Sequence, residues 1–451
     1  MFETIKLYFK WAYFIYELSS KHFWLMNTSE GGIYLKNKLI SLGVIGIKFG
    51  QYLYTQRVVK LTDEVKKNIE TFLSENHEHT KKDTEKMFSY IMKNDNNCNN
   101  NSNHDINDNN FSNIIHHIDE DVIGSGSLAQ THICYLKDDP TKKCVVKIAH
   151  PAIFQLENEI KVVKNIIGFA SYFKKFNIDW NDFFENISIQ CDFNNEARYM
   201  KIFYDIFKSY EKIDVPELLY SSKYVIIMSY CEGVHINKFD KLNKDFALST
   251  NLLTASFLYT AYKYSICHGD LHPGNILVKP NGNITLIDFG ICNEKKYIGS
   301  NQGTEDNENI ALYLYKKFLY NRDYDSANNL LKTIIVNKNY DDLFLSKISK
   351  KLIEKSINIT HKECDYEQKL LNLIIEFCYN NNLFIKGRVV YFITQIILLE
   401  NICEAGGINW LLFRTLDFMK KDKFFMDNDE KLREYILNFY ELEYSNIITV
   451  K

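Results

Sequence analysis

Residues 268–290 read HGDLHPGNILVKPNGNITLIDFG. Asp270 precedes Asn275 by five residues, a short hairpin-like span follows, and Asp288-Phe289-Gly290 closes the run. Phosphoryl transfer to a hydroxyl requires a base and a divalent metal held against the phosphates. A loop carrying Asp and Asn, with a second Asp beyond a hairpin, supplies those parts. The spacing is specific, because base and metal ligand must face the same phosphate from one loop.

The chain has 451 residues, enough for a large core and for two or more lobes. It is 46% hydrophobic and 25% charged, as globular proteins are. A net charge of -3 creates no field that would favour nucleic acid or an anionic surface. The 10 cysteines form no CxxC pair and no zinc spacing, a pattern of reduced, mostly buried thiols. His77-Glu78-His79 has metal-like letters but lies in a polar stretch without further ligands, so a solvated loop is expected there. No signal or transit peptide and no membrane-spanning run is expected; the expectation is an intracellular chain of otherwise unknown location, with membrane association left open. The opening MFETIKLYFKWAYFIYELSS reads as an amphipathic packing helix, with a membrane-surface anchor as the alternative. The apolar run Val389–Leu399 is interrupted by Gln395 and bounded by Arg388 and Glu400, so it reads as a buried helix.

Helical periodicity covers about 3–24, 32–54 and 62–92. Residues 93–113 are rich in Asn and read as a disordered insert, since they bury too little apolar area to offset ordering entropy. Strand patterns occupy 119–148 and Lys223–Tyr230, and helices are expected over 152–210, 238–267 and from about 307 onward. The polar stretch 293–308 reads as loop. The expected fold is α+β: an N-terminal helical extension (1–92), a small β-rich lobe with inserted helices (114–232) and a larger helical lobe (233–451).

Upstream of the opening motif, Ile123 leads into Gly124-Ser125-Gly126-Ser127-Leu128-Ala129-Gln130, between two expected strands. Glycines there let the backbone approach phosphate oxygens and take conformations closed to other residues. Lys147 follows on the Val145–Ile148 strand, placed to contact the α- and β-phosphates. The ordered set of loop, Lys, Asp, Asn and Asp is that of a protein-kinase-like two-lobe fold using ATP and Mg2+. In it Asp288 binds the metal, Asn275 binds a second metal or fixes the loop, and Asp270 orients or deprotonates the attacking hydroxyl. His268 and His272 are assigned to loop packing.

Lys48-Phe49-Gly50-Gln51 resembles the KxGQ motif of the UbiB-like (aarF-domain) atypical kinases. SGSLAQTH, VVKIAHP, QCDFNNEARYM, VIIMSYCEG, HGDLHPGNIL and LIDFG add to the likeness, over about residues 30–300. The resemblance implies that Lys48 and Gln51 point into the site from a helical extension that covers the peptide entrance. It implies that Glu196 pairs with Lys147, in preference to Glu157 or Glu159. It also implies that Met228, Tyr230 and Cys231 form the interlobe linker that meets adenine. Three departures stand out. Gly124–Ser127 replace the family's alanines, which suggests ATP held as in a conventional kinase. Gln190-Cys191-Asp192 replaces the family's Glu-x-Asp, which weakens a clamp on Lys48. No Ala-Pro-Glu string follows Gly290, which argues against a protein substrate.

The expected activity is Mg-dependent ATP hydrolysis or phosphoryl transfer to an unidentified small-molecule, lipid or protein acceptor, with quinone or lipid metabolism implied by the resemblance. A small-molecule kinase of the aminoglycoside or choline type and an ATP-gated regulator are the alternatives. A nucleic-acid partner is not expected; a peripheral membrane contact remains open.

Overall fold

In the computed structural model the chain is an α+β protein of two units, with residues 2–19, 28–56, 78–98, 114–169, 180–294, 308–335, 340–359, 366–381, 383, 385, 387–408, 411–427 and 429–450 described. One unit comprises Met1–Asp205 and Pro216–Cys231, the other Ile206–Val215 and Glu232–Lys451.

The first unit opens with helices α1 (Phe2–Ser19), α2 (Ser29–Ser41), α3 (Val44–Gln56) and α4 (Lys81–Cys98). The expected single helix over 32–54 is two, because Gly43 turns the chain at φ +76, a conformation strained for any residue with a Cβ. Helix α4 runs through Cys98, into the first residues of the Asn-rich stretch, whose remainder (99–113) lies outside the described residues. So do 57–77, which hold about half of the helix expected over 62–92.

Strands β1 (Ile115–Ser125), β2 (Ala129–Leu136) and β3 (Lys143–Ala149) follow, then helices α5 (Ile153–Phe169), α6 (Trp180–Gln190) and α7 (Phe193–Phe207). After β4 (Ile213–Asp214), strands β5 (Leu218–Ser222) and β6 (Val225–Ser229) complete an antiparallel sheet of order β1-β2-β3-β6-β5. Alternation places Cys144, Val146 and Ile148 in the core and leaves Lys147 on the opposite face of β3. Helix α7 buries Phe193, Ala197, Met200 and Phe203, a stripe at helical spacing that aligns its first turn, where Glu196 lies.

In the second unit, β7 (Val234–His235) precedes α8 (Asp245–Tyr264), which is buried continuously from Leu252 to Ala261. The hydroxyls of Ser249, Thr250, Ser256 and Thr260 bond to backbone carbonyls, as Ser249 does to Gly282 and Thr260 to Ser256, so the helix serves as an internal axle. Strands β8 (Ile266–His268), β9 (Ile276–Val278), β10 (Ile284–Leu286) and β11 (Cys292–Glu294) carry the opening motif. They form a sheet of order β4-β10-β9-β7 and the pair β11-β8. Helices α9 (Glu308–Asn321), α10 (Tyr324–Ile334), α11 (Asp342–Ser356), α12 (Tyr366–Asn380), α13 (Gly387–Glu404), α14 (Leu411–Lys421), α15 (Lys423–Met426) and α16 (Glu430–Val450) complete this unit. The stretch 206–215 joins it through Asp422, which accepts from Tyr210 at 2.9 Å and from Lys212 at 2.9 Å. Among the described residues no helix is long and apolar enough to cross a membrane.

Candidate active site

In the first unit, Lys147 Nζ lies 2.6 and 2.8 Å from the two carboxylate oxygens of Glu196. Their side chains are 14% and 5% exposed, so the pair is largely shielded and stronger than a surface bridge. The sheet sets the Lys end: Lys147 pairs with Thr131 on β2 and Ile226 on β6. The first turn of α7 sets the Glu end, where the helix dipole favours a carboxylate. Glu159 lies beside Gly43 instead, and the Glu157 side chain lies outside the described ones.

The glycine-rich segment is tighter than expected. Gly124 and Ser125 belong to β1, and the turn is Gly126-Ser127-Leu128, with Gly126 N–H donating to Ala129 O at 2.7 Å. Neither Gly124 nor Gly126 takes positive φ, and a Cβ on Gly126 would make only an ordinary 3.7 Å contact with Ala129 O. The expected left-handed freedom is therefore not used here. Ile123 is exposed on β1, whereas Ala129 is buried. Gln130 also departs from a nucleotide-facing role. It is 1% exposed, and its carboxamide accepts from His79 N–H at 2.9 Å, donates to Thr84 Oγ1 and bonds His132 Nε2. It braces the hairpin from behind.

His79 corrects the solvated-loop expectation. Its Nδ1 lies 2.6 Å from Nδ1 of His150, and His150 Nε2 lies 2.9 Å from Gly126 O. A carbonyl only accepts, so His150 carries its proton on Nε2 and His79 on Nδ1. The histidines thus pin the segment before α4 to the glycine turn. Burial, with the nearby His150 and His132 adding to it, pushes the His79 pKa down to about 4, against the opposing pull of Asp83. Burial lowers His150 too. From the ordinary value of 6.5 down to about 4 the unfolded chain therefore binds more protons at His79 than the folded one. Its contribution to stability is complete above that window and is lost as pH falls through it. Glu159, which burial raises to about 7, acts in the opposite sense. The thermal midpoint is expected to fall less steeply from pH 7 to pH 5 in a His79→Phe variant than in wild type; equal slopes would remove His79 from the account.

In the second unit, α8 ends at Ser265 in the left-handed conformation and delivers the chain into β8. Gly269 N–H donates to Ile291 O at 2.8 Å, an approach so close that a Cβ would lie 2.8 Å from the Ile291 side chain. Pro273–Asn275 form a 3-10 turn that His272 caps through Gly274 N–H. Asn275 is 6% exposed; its Nδ2 donates to Asp270 O at 2.9 Å, and its carbonyl accepts from Ile287 N–H at 3.0 Å. These bonds tie Asp270, Asn275 and the approach to Asp288 into one rigid assembly. Asp288 takes φ +64 and accepts from Gly290 N–H at 3.0 Å. Asp is one of the few non-Gly residues that enter this region readily, and Ser265 and Arg322 also take positive φ in this chain, so the conformation fits the residue type. His268 is fully buried, and burial pushes its pKa down to about 4, opposed by the Asp288 carboxylate. A neutral, buried ring fits packing. His272 Nε2 lies 3.7 Å from Asp270 Oδ2.

Asn275 and Asp288 offer an amide oxygen and a carboxylate, hard donors of the kind Mg2+ takes when phosphates fill its remaining positions. With Asn275 Nδ2 committed to Asp270 O, Oδ1 is the end left for a cation. Among the described residues no group of three or more His, Cys, Asp or Glu can hold a metal. Lys48 lies on α3, which packs against α5 and α6; the Gln51 side chain lies outside the described ones, and Gln190 is half-buried at the end of α6. Met228 is buried on β6, Tyr230 is exposed, and Cys231 is the last residue of the first unit.

A family model of the ABC1 atypical kinase-like domain matches residues 96–326, just over half of the chain. AarF domain-containing kinase 1 of Drosophila melanogaster is 30% identical over 192 residues, 40% of this chain and 36% of the fly protein. An uncharacterized protein in the hydrogenase 1 5' region of Clostridium pasteurianum is 24% identical over 298 residues, 63% of this chain and 54% of the clostridial one. The aligned segments thus span about half or less of these relatives. A Mycobacterium tuberculosis protein solved with erythromycin is 18% identical, with 65% of this chain and 74% of that chain covered and a TM-score of 0.43.

Proposed function

This chain belongs to the ABC1 atypical kinase-like family, and we propose that it binds Mg-ATP and either hydrolyses it or passes the γ-phosphoryl group to a small, lipid-like hydroxyl acceptor. The observation that carries the reading is the backbone-locked assembly of Asp270, Asn275 and Asp288. Asp288 and Asn275 would hold Mg2+, which when bound neutralises charge on the phosphate oxygens. Lys147, held by Glu196, takes the α- and β-phosphate oxygens. The acceptor or water oxygen bonds to the γ-phosphorus as the bond from that phosphorus to the β-bridging oxygen breaks. ADP leaves with those electrons, and the acceptor's proton goes to the Asp270 carboxylate.

A lipid-like acceptor, in quinone or lipid metabolism, agrees with the exposed face of α1. Ile5, Phe9, Tyr13 and Tyr16 lie there at helical spacing, with Lys6 and Lys10 exposed on the same helix, while Trp11 and Phe14 are buried. Aromatic and basic side chains on one helix suit a peripheral contact with an anionic membrane surface. The test is phosphate release from Mg-ATP alone and with quinone precursors, phospholipid vesicles, choline or aminoglycosides. Stimulation by quinone precursors or vesicles is expected. Stimulation by choline or aminoglycosides alone would favour a small-molecule kinase, tight Mg-ATP binding without release an ATP-gated regulator, and absence of Mg-ATP binding would end all three readings.

A further inference from the structure

Gln395 sits in the middle of α13, 3% exposed, among the buried Phe392, Ile396, Ile397 and Leu399. A carboxamide placed there is costly unless its hydrogen bonds are met within the protein. Both ends are met. Its Oε1 accepts from Leu271 N–H at 2.8 Å and its Nε2 donates to Gly269 O at 2.9 Å. Gly269 and Leu271 are the two neighbours of Asp270. One side chain, 124 residues away in sequence from Leu271, therefore holds the peptide groups on both sides of the proposed base.

We infer that Gln395 is a positioning residue: its carboxamide clamps the backbone on either side of Asp270 and sets the direction of that carboxylate. The inference rests on the reading of Asp270 as the group that receives the acceptor's proton. The remaining bonds of this loop agree with it. Gly269 N–H goes to Ile291 O at 2.8 Å, Asp270 N–H to His268 Nδ1 at 3.2 Å, and Asp270 O accepts from Asn275 at 2.9 Å. Those bonds hold the loop to its own hairpin. Gln395 alone among these partners comes from a distant helix, and it ties the loop to the helical core of its unit.

The chemistry selects an amide at this position. It must accept at one end and donate at the other, which Gln does without charge. In a Gln395→Glu variant the carboxylate would accept from Leu271 but face the Gly269 carbonyl with a second oxygen, lone pair against lone pair. A protonated Glu is the steric match of Gln and can make both bonds. Leu keeps the volume and leaves two buried backbone groups unmet.

The experiment compares wild type, Gln395→Leu and Gln395→Glu in the full chain. Each is measured for Mg-ATP affinity, phosphate release over pH 5 to 8, and residue-resolved amide exchange at Leu271. Gln395→Leu is expected to keep Mg-ATP affinity and KM while kcat falls about 100-fold, the size of loss that a misplaced reacting group causes. Leu271 exchange should quicken in the same variant, while amides in the β1–β3 sheet stay as in wild type. Gln395→Glu should be impaired at pH 8 and regain turnover relative to wild type toward pH 5, as burial favours its neutral acid. A folded Gln395→Leu with wild-type kcat and wild-type Leu271 protection overturns the clamp, as does a Glu variant whose pH profile parallels wild type. If Gln395→Leu does not fold, the Glu variant's profile and Leu271 exchange decide. If wild type releases no phosphate, the enzymatic reading fails separately, and Leu271 exchange still decides whether Gln395 holds the loop.

Discussion

An Asp288→Asn variant is expected to fold as wild type does and to lose Mg-dependent phosphate release by about 10²–10⁴-fold. The substitution isolates one charge. Asp288 sits at φ +64, a region that Asn also enters readily, so the backbone need not move. Its Oδ1 accepts from Gly290 N–H at 3.0 Å, and an amide oxygen accepts the same bond. What changes is the formal charge offered to the cation. Several kcal/mol of stabilisation of the reacting phosphates depend on that charge, and each ~1.4 kcal/mol is tenfold in rate. The measurement pairs steady-state phosphate release with a Mg2+ titration and a thermal melt. Full turnover in a folded variant would remove Asp288 from the metal site.

The second large effect is expected at Glu196. Removing its carboxylate in Glu196→Ala leaves Lys147, only 14% exposed, without the oxygens at 2.6 and 2.8 Å. Breaking a buried pair from one side costs about 3–5 kcal/mol, and the residual exposure of Lys147 places this case near the lower end. Mg-ATP affinity should fall in parallel, since Lys147 loses the partner that aims it. A double variant, Lys147→Met with Glu196→Leu, separates the two consequences. It is expected to recover most of the stability, because two apolar groups replace two charges, and to remain defective in Mg-ATP binding. Denaturant unfolding followed by a probe in the first unit, together with nucleotide titration, provides the check. Recovery of Mg-ATP affinity in the double variant would show that the pair has no nucleotide role.

The linear sequence and the structure speak to different parts of this site. Asp270, Asn275 and Asp288 lie within one short loop and its hairpin, so local chain geometry already implies their arrangement, and alternation along β3 by itself sets the face of the strand that carries Lys147. Short connections leave few ways to place such groups, which is why spacing is informative there. The α+β class follows from the same local rules, strands with period two and helices with period 3.6. Residue spacing is silent on which Glu meets Lys147. Glu159 is nearer along the chain, but α5 turns it toward Gly43, and the packing of α7 brings Glu196 to the sheet. The family resemblance favours Glu196; packing is the physical reason.

Tertiary structure also decided what single residues are for. His79 reads as part of a polar segment until His150 and Gly126 are seen beside it. Gln130 reads as a loop residue until its amide is found buried and bonded to His79 and Thr84, and Gly126 reads as a conformational necessity until its φ is known not to be positive. Gln395 is the extreme case. In the sequence it is an interruption in the apolar run Val389–Leu399, and in the fold it bonds both neighbours of Asp270. By itself the sequence determined which chemical groups are present and which share a loop, because local geometry follows from residue type and spacing. Only the tertiary structure decided which distant groups meet them, because those pairings depend on how buried surfaces fit, and that leaves no periodic trace along the chain.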